Sequence, residues 1–306
     1  MDAREFIAKT AAGYESNAFT TSETSAGYIN PEIWNKEVLK FLREKLVVAP
    51  LGKIYNDLKN KPGDVVNITI SSTPSAAAAV AESDQVAITA YEKTQVVFTP
   101  TEYGAAYQLT NKEKTRSFIN LMQDMTQQLG YQLALLKDDT CVTLLQTSAG
   151  NSVVANGVAS SAIASSDTLD YDDIVNAKKA IMVDKLEPYA LIIGAEQYGD
   201  LLKLAAFRDA SQFGDNVAKN GFIGTVSGIK VYWTTQIAAS ASKEKAIMLG
   251  KDGAGVAPFG IAIKRDPYLE TEYHALGRYT DIVAVEEYQV RVLRANGICT
   301  IETYAA

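Results

Sequence analysis

The sequence predicts an α+β fold built around one long helix. A single amphipathic stretch runs from Asn111 to Gln146, and β-rich sequence lies on both sides of it. A helix, a buried strand and a second helix then follow from about residue 168, before a closing run of strands. Helices and strands therefore form separate blocks and do not alternate strictly, which is typical of α+β proteins.

The long helix is predicted from the spacing of its apolar residues. They recur in steps of mostly three or four and fall on one stripe of a helix, as a core-facing helix requires. The stripe consists of Phe118, Met122, Met125, Leu129, Leu133, Leu136 and Leu144. Thr110 or Asn111 can cap the helix with a side-chain oxygen. At a rise of about 1.5 Å per residue the helix is roughly 50 Å long, more than a small domain needs, so we call it the spine helix.

The composition is that of a folded protein with one elaborated domain or two ordinary ones. Of the 306 residues, 47% are hydrophobic and 21% are charged, which excludes a disordered chain. The net charge of −7 argues against a surface that grips nucleic acid through its phosphates. Cys141 and Cys299 are the only cysteines and are expected to be reduced core residues.

The N-terminal region predicts an arm and a short helix. Residues 1–28 are small and polar, and they contain no apolar stretch of the kind that a signal peptide needs. No run approaches eighteen apolar residues, so we expect no membrane contact and residence in a cytoplasm. Pro31, with Asn30 as cap, opens a helix whose apolar face includes Trp34, and Pro50 and Gly52 end it.

A long hairpin is predicted between Lys61 and Thr99. Pro62-Gly63 forms a turn, and strand-like runs follow at residues 65–70 and 94–99. The intervening residues 71–90 are mostly small and polar and have little of their own to bury. Loops of this length are usually functional or bound to a partner. We therefore expect an arm that packs on another molecule.

The second half of the chain predicts a compact α/β layer after an irregular connection at residues 148–167. Asp170 caps a helix whose first turn carries Asp172 and Asp173. The apolar face of that helix is formed by Ile174, Ala177, Ile181 and Met182. A strand at residues 189–193 and a helix at residues 196–206 are predicted next. Further strands are predicted at residues 229–235, 245–249, 259–264, 281–293 and 298–301. Asn296-Gly297 predicts a two-residue hairpin between the last two strands.

No catalytic, cofactor-binding or metal site is predicted, so the protein is not expected to be an enzyme. His274 is the single histidine and has no assured carboxylate partner. The glycine-rich stretches at 221–228 and 250–255 lack the spacing of phosphate-binding loops and are expected to be turns. The acidic pairs Asp138-Asp139 and Glu286-Glu287 are expected to be solvated.

The order of elements, together with three stretches, resembles one family. The stretches are Tyr28-Ile29-Asn30-Pro31-Glu32-Ile33-Trp34, Lys61-Pro62-Gly63-Asp64-Val65-Val66-Asn67-Ile68, and Asn220-Gly221-Phe222-Ile223-Gly224 with Gly228-Ile229-Lys230-Val231-Tyr232. They are similar to segments of the HK97-like major capsid proteins of tailed double-stranded DNA bacteriophages. The resemblance covers nearly the whole chain and rests on order and length more than on any single motif.

This resemblance implies a division of the chain into five segments. They are an N-terminal arm and helix (1–60), an extended loop (61–100), a peripheral domain with the spine helix (101–167), an axial domain (168–255) and return strands of both domains (256–306). The implied assembly contacts are Trp34, Val65, Ile68, Pro74, Lys93 and Val97. Lys93 is the only lysine between Asp64 and Phe98 and lies on the descending arm, so covalent crosslinking of subunits is not expected.

The resemblance also implies function and partners. Subunits would self-assemble as pentamers and hexamers into an icosahedral virion capsid, formed in the cytoplasm of a bacterial host. Portal, scaffolding and decoration proteins are the implied partners, and double-stranded DNA is enclosed without sequence-specific binding. The acidic balance suits a wall to which phosphates do not adhere. Two alternatives stay open: an encapsulin-type cellular shell, and an enzyme of unfamiliar class with a deep polar pocket near residues 250–255.

Overall fold

A computed structural model describes residues 46–59, 61–71, 77, 79–80, 85, 88, 90, 92–117, 120–204, 224–237, 239–240 and 242–305. The chain divides into two compact units, residues 1–41 and 42–306, and the fold below is that of the described part of the second. The predicted N-terminal arm and the helix that begins at Pro31 lie outside the described residues, apart from the end of that segment.

The described helices are α1 (Asn111–Arg116), α2 (Leu121–Thr147), α3 (Tyr171–Val183) and α4 (Ala195–Lys203). The strands are β1 (Lys53–Tyr55), β2 (Val66–Ser71), β3 (Lys93–Phe98), β4 (Thr101–Thr110), β5 (Asn151–Val154), β6 (Glu187–Ile193), β7 (Thr225–Val226), β8 (Ile229–Trp233), β9 (Lys243–Lys251), β10 (Phe259–His274), β11 (Tyr279–Val292) and β12 (Ile298–Tyr304). None of the described helices has the length and apolar character needed to cross a membrane.

The strands form three sheets. A four-stranded sheet has the order β1-β10-β11-β4, and a six-stranded sheet has the order β5-β12-β9-β6-β8-β7. Strands β2 and β3 form a separate two-stranded sheet. The fold is therefore α+β, as the sequence predicts, with the long helix lying between two β-rich parts.

The predicted spine helix is two helices. Thr110 caps α1 as expected, because its hydroxyl accepts from the Glu113 N–H at 3.3 Å while the Glu113 carboxylate accepts from the Thr110 N–H at 3.2 Å. The backbone of Ser117 is extended, with ψ of 133°, and α1 ends there. The Asn120 side chain accepts from the Gln123 N–H at 3.4 Å and starts α2 as a new helix. The prediction of one continuous helix from Asn111 was wrong because a second capping residue interrupts it.

Helix α2 joins the cores of the two larger sheets. Leu129 and Leu133 are buried against Ile282 and Ala284 of β11. Two turns further on, the buried residues are Cys141, Val142 and Leu145, which pack in a core shared with both sheets. Burial of Cys141 and Cys299 raises the pKa of both thiols, that of Cys299 to about 12, and both thiols are free. The spine role predicted for this helix is confirmed.

Two apolar residues that the periodicity placed in the core are exposed. Leu136 of α2 is 40% exposed, and Met182 of α3 is 56% exposed. Helix α3 otherwise follows the prediction, since Asp170 and Asp173 form a capping box and Ile174, Ala177 and Ile181 are buried. Periodicity identifies a stripe, but the width of the opposing surface decides which members of the stripe are covered.

The last two strands do not pair with each other, although the sequence predicts that they form a hairpin. Asn296-Gly297 does not form a hairpin, because β11 belongs to the four-stranded sheet and β12 to the six-stranded one. Gly297 packs so tightly that a Cβ there would lie 2.8 Å from the Cβ of Pro258. The connection at 148–167 contains β5, which pairs in parallel with β12. Strand β10 continues ten residues beyond the predicted end and forms a long hairpin with β11.

Candidate assembly surfaces

The predicted hairpin is present and has two chemically different faces. Strand β2 pairs antiparallel with β3, with Val66 opposite Phe98 and Ile68 opposite Val96. These four residues lie on one face and are buried or half-buried. The opposite face pairs Asn67 with Val97, Thr69 with Gln95 and Ser71 with Lys93, all exposed. Within the described chain, neither outer edge of this sheet pairs with another strand.

The base of the hairpin is held firmly by the four-stranded sheet. Phe98 is fully buried, and its ring centroid lies 5.8 Å from that of Tyr55 in β1. The Lys264 ammonium lies 3.0 Å from an Asp64 carboxylate oxygen and 3.3 Å from one of Glu287. Hydrogen bonds to Asp64 and Glu287 raise the pKa of Lys264. Both strands of the hairpin are therefore anchored where they enter it.

Beyond the base, the arms of the hairpin lie over open clefts. A cleft of about 390 Å³ separates β3 from the end of α2 and from Arg291 and Val292. A second cleft of about 280 Å³ lies between the end of β2 and residues 294–296, with Asp184 and Leu186 on its wall. The contact between the arms and their own subunit is therefore loose, in contrast to the contact at the base.

The structure places four of the six predicted assembly residues on this hairpin, and Trp34 and Pro74 lie outside the described residues. Ile68 belongs to the half-buried face, whereas Val97 lies on the opposite, exposed face. Lys93 is at the far end of the arms. Val65, just before β2, is 45% exposed. The four residues thus share one element but not one face.

Two acidic residues that we expected to be solvated are buried. Asp138 has no exposed surface, and its carboxylate accepts backbone N–H groups from Val47 at 3.2 Å, Val48 at 2.9 Å and Ala49 at 2.6 Å. Desolvation raises the pKa of Asp138, against the lowering effect of these three hydrogen bonds. Glu286 is 1% exposed and pairs with Lys137 of α2. The other member of each pair, Asp139 and Glu287, is not buried.

The outer side of α2 carries a cleft that the sequence did not predict. It has a volume of about 280 Å³ and is lined by Gln132, Leu135, Leu136, Asp139 and Gln236. Gln236 comes from the connection between β8 and β9. Both polar atoms of its side chain are buried, and they have no hydrogen-bond partner within the described residues. A glutamine in a connecting segment has no local signal that could have revealed this position.

The motifs considered for catalysis occupy ordinary structural positions. The Nε2 atom of His274 lies 3.1 Å from an Asp281 carboxylate oxygen on the paired strand, and the imidazole packs on Tyr279 at 4.7 Å. Ser227 and Gly228, both with positive φ, form the turn between β7 and β8. The Asp252 carboxylate closes the turn at 252–256 by accepting from the Ala254 and Val256 N–H groups. Residues 221–223 lie outside the described part.

Comparison with known proteins identifies one family. Residues 91–305 match a family model described as phage capsid protein. None of the curated proteins matches the sequence. Among solved structures, a protein of Mycobacterium phage Che8 is similar with a TM-score of 0.72 and 18% identity, over 90% of this chain and 97% of that one.

Two further structures extend this likeness. The capsid of Ralstonia phage GP4 has a TM-score of 0.72 and 13% identity, over 91% of this chain and 96% of that one. The asymmetric unit of the mature capsid of bacteriophage PhiM1 has a TM-score of 0.70 and 12% identity, over 90% and 92%. At these identities the likeness to solved structures concerns the fold.

Proposed function

The chain belongs to the phage capsid protein family, and on that premise we propose that it is the major capsid protein of a tailed double-stranded DNA phage. Its function is structural: copies assemble as pentamers and hexamers into an icosahedral shell around the genome. It performs no reaction of its own. Two of the similar structures are a phage capsid and the asymmetric unit of another, and an assembling subunit is the counterpart here.

The observation that carries this proposal best is the construction of the hairpin β2–β3. Its base is fixed by Phe98 and by the ion pairs of Lys264, while its outer edges have no strand partner among the described residues. Open strand edges bind other chains readily, and soluble monomers usually protect them. An arm that is anchored at its base and has open edges therefore suits a subunit that is completed by its neighbours.

The same proposal divides the chain into five segments. We assign residues 1–60 to the N-terminal arm and helix, 61–100 to the extended loop, 101–167 to the peripheral domain, 168–255 to the axial domain and 256–306 to the return strands. Trp34, Val65, Ile68, Pro74, Lys93 and Val97 are the proposed contacts between copies. Portal, scaffolding and decoration proteins are proposed as further partners, and the DNA is enclosed without sequence-specific binding.

A deletion in the loop tests this function. Removing residues 76–87 should leave the subunit folded, because the residues of this segment that the structure describes, 77, 79, 80 and 85, are all exposed, but should prevent shells from forming. Negative-stain microscopy and sedimentation of the full-length chain, with and without its scaffolding protein, measure assembly, and circular dichroism measures folding. The control is a full-length Ala77→Ser variant, which changes a side chain in the loop but keeps the length of the loop. Full-length protein that stays monomeric or dimeric under all conditions would contradict the function, and a deletion variant that still forms shells would contradict the role of the loop.

A further inference from the structure

A cleft of about 480 Å³ lies at one end of the six-stranded sheet. Strands β6 and β8 are parallel and both begin there, while β9, which is antiparallel to β6, ends there. The second half of α3 and its connection to β6 form the opposite wall. The volume is in the range of pockets that bind small molecules. The cleft is therefore large enough for a ligand but too small for the face of another subunit.

The floor of the cleft is apolar. Ile229 is 1% exposed and Leu186 is 9% exposed, and both belong to the core that contains α3. Pro188 continues this floor, and Met182, with 56% of its surface exposed, lies at the edge. An aliphatic group in the cleft would be covered by these side chains, which is favourable because apolar surface is removed from water.

Two ammonium groups line the same cleft. The Lys178 ammonium donates to the Ser227 carbonyl at 2.8 Å and to the Ser227 hydroxyl at 3.1 Å. These bonds use two of its three N–H donors and fix its position on the wall. Lys185 is the second lysine of the lining, and the one acidic residue of the described lining, Glu187, pairs with Lys251 at 3.5 Å. The cleft is therefore positively charged on a subunit whose net charge is −7.

Lys185 occupies a backbone position that favours glycine. It follows Asp184, the last capping residue of α3, and its φ is 63°. Its N–H donates to the Met182 carbonyl at 3.0 Å, and the next N–H, that of Leu186, donates to the Ile181 carbonyl at 3.4 Å. Helix ends of this kind usually have glycine in the left-handed position, because a Cβ is unfavourable there. The backbone is thus strained at the residue that places a cation beside the cleft, and such strain is concentrated at binding sites.

The polypeptide backbone is accessible at two points of the cleft. A Cβ added at Gly228 or Gly253 would meet no atom within 4 Å. Gly228 has a φ of 81° in the turn between β7 and β8, whereas the φ of Gly253 lies outside the left-handed region. A side chain introduced at Gly253 would therefore fill part of the cleft without straining the backbone.

We propose that this cleft binds an aliphatic carboxylate. The carboxylate accepts hydrogen bonds from the Lys178 and Lys185 ammonium groups, and the aliphatic part lies on the apolar floor. Hydrogen bonds between two charged groups are roughly twice as strong as neutral ones. A free aliphatic acid and the carboxyl end of a polypeptide with an apolar last residue share this chemistry. All lining residues come from one chain, so the inference goes beyond the proposed function and does not depend on assembly.

Methyl NMR of the unassembled full-length subunit tests the site with hexanoate as the probe. The chain has five methionines, and the methyl signal of Met182, identified with a Met182→Leu variant, reports on the cleft. Hexanoate should shift this signal with a Kd of about 1 mM or lower, while the signals of Met122 and Met125 in α2 stay unchanged. Hexanamide, which has the same size without the charge, should bind at least about tenfold more weakly.

Substitutions connect binding to the named groups. Lys185→Gln should weaken hexanoate binding about tenfold, as expected for the loss of one charge-assisted hydrogen bond, and Gly253→Phe should abolish it by filling the cleft. Lys179→Gln, which removes the same charge from an exposed position of α3 outside the cleft, is the control and should leave the affinity unchanged. Lys185→Gly should also weaken binding, but it should melt at the same temperature as the wild type or higher, since glycine relieves the strain.

A peptide distinguishes the two sources of the carboxylate. Tighter binding of glycyl-glycyl-leucine than of hexanoate would assign the cleft to the carboxyl end of a polypeptide, and weaker binding would assign it to a free acid. The proposal is overturned if about 10 mM hexanoate leaves the Met182 signal unshifted, or if hexanamide binds as tightly as hexanoate. Equal effects of Lys179→Gln and Lys185→Gln on the affinity would overturn it as well.

Discussion

Replacing Glu244 by glutamine should remove a pH-dependent loss of stability from the six-stranded sheet. Glu244 is the second residue of β9 and is only 2% exposed. Its carboxylate accepts from the Gln197 N–H at 3.1 Å, in the first turn of α4. The N-cap residue of α4 is Gly194, which has no side chain to serve as a cap, so Glu244 of strand β9 caps the helix. The Glu244 side chain lies over Gly194, where any Cβ would overlap it.

Burial makes this cap sensitive to pH. Desolvation raises the pKa of Glu244 from 4.5 to about 7, against the lowering effect of the Gln197 hydrogen bond, and the nearby carboxylates Glu196 and Asp200 add to the increase. Such a shift corresponds to about 3 kcal/mol. The folded state keeps its proton to a higher pH than the unfolded state does. Stability from this group is therefore fully present below pH 4.5 and is lost as the pH rises to about 7.

Glu244→Gln mimics the protonated acid at every pH, so the variant should lack this loss. We expect a free energy of unfolding close to that of the wild type at pH 4.5 and about 3 kcal/mol higher at pH 8. Urea unfolding of the unassembled subunit at half-unit pH intervals measures the difference. Other shifted carboxyl groups, such as Asp138 and Asp173, are common to both proteins and cancel.

The control is Glu187→Gln, because the Glu187 side chain is 73% exposed and its loss should leave the pH profile unchanged. Parallel profiles for Glu244→Gln and the wild type between pH 4.5 and 8 would refute the argument. A variant that is less stable than the wild type at pH 8 would also refute it, since the capping hydrogen bond would then outweigh the cost of burial.

Two further predictions concern α2. Asp138→Ala should lower the free energy of unfolding by about 3 kcal/mol, because three backbone N–H groups lose their acceptor. Asp139→Ala on the exposed side of the helix is the control. Equal effects of the two substitutions in urea unfolding would contradict the capping role of Asp138. Leu133→Asp should abolish folding, because it buries an unpaired charge at a cost of roughly 4 kcal/mol or more, whereas Leu136→Asp should fold. Circular dichroism of both variants distinguishes these outcomes, and a folded Leu133→Asp protein would show that this part of α2 is not core.

Much of the fold followed from local patterns. The capping sequences at Thr110 and Asp170, the strand pair of the hairpin and the apolar run at 189–193 all form as predicted. The match to capsid proteins was likewise expected from the order of the elements. The candidate surfaces could not be predicted in the same way, because an exposed leucine and a buried glutamine have no sequence signal that separates them from ordinary residues.

The sequence by itself determined which segments become helices and strands, where most of them begin, and which family the chain resembles, because caps, periodicity and element order are local properties. Only the tertiary structure decided that Asp138 is buried, since its donors lie about ninety positions earlier. It also decided that β11 and β12 join different sheets and that Leu136 is exposed. These outcomes depend on which surfaces meet after folding, and a linear pattern does not contain that information.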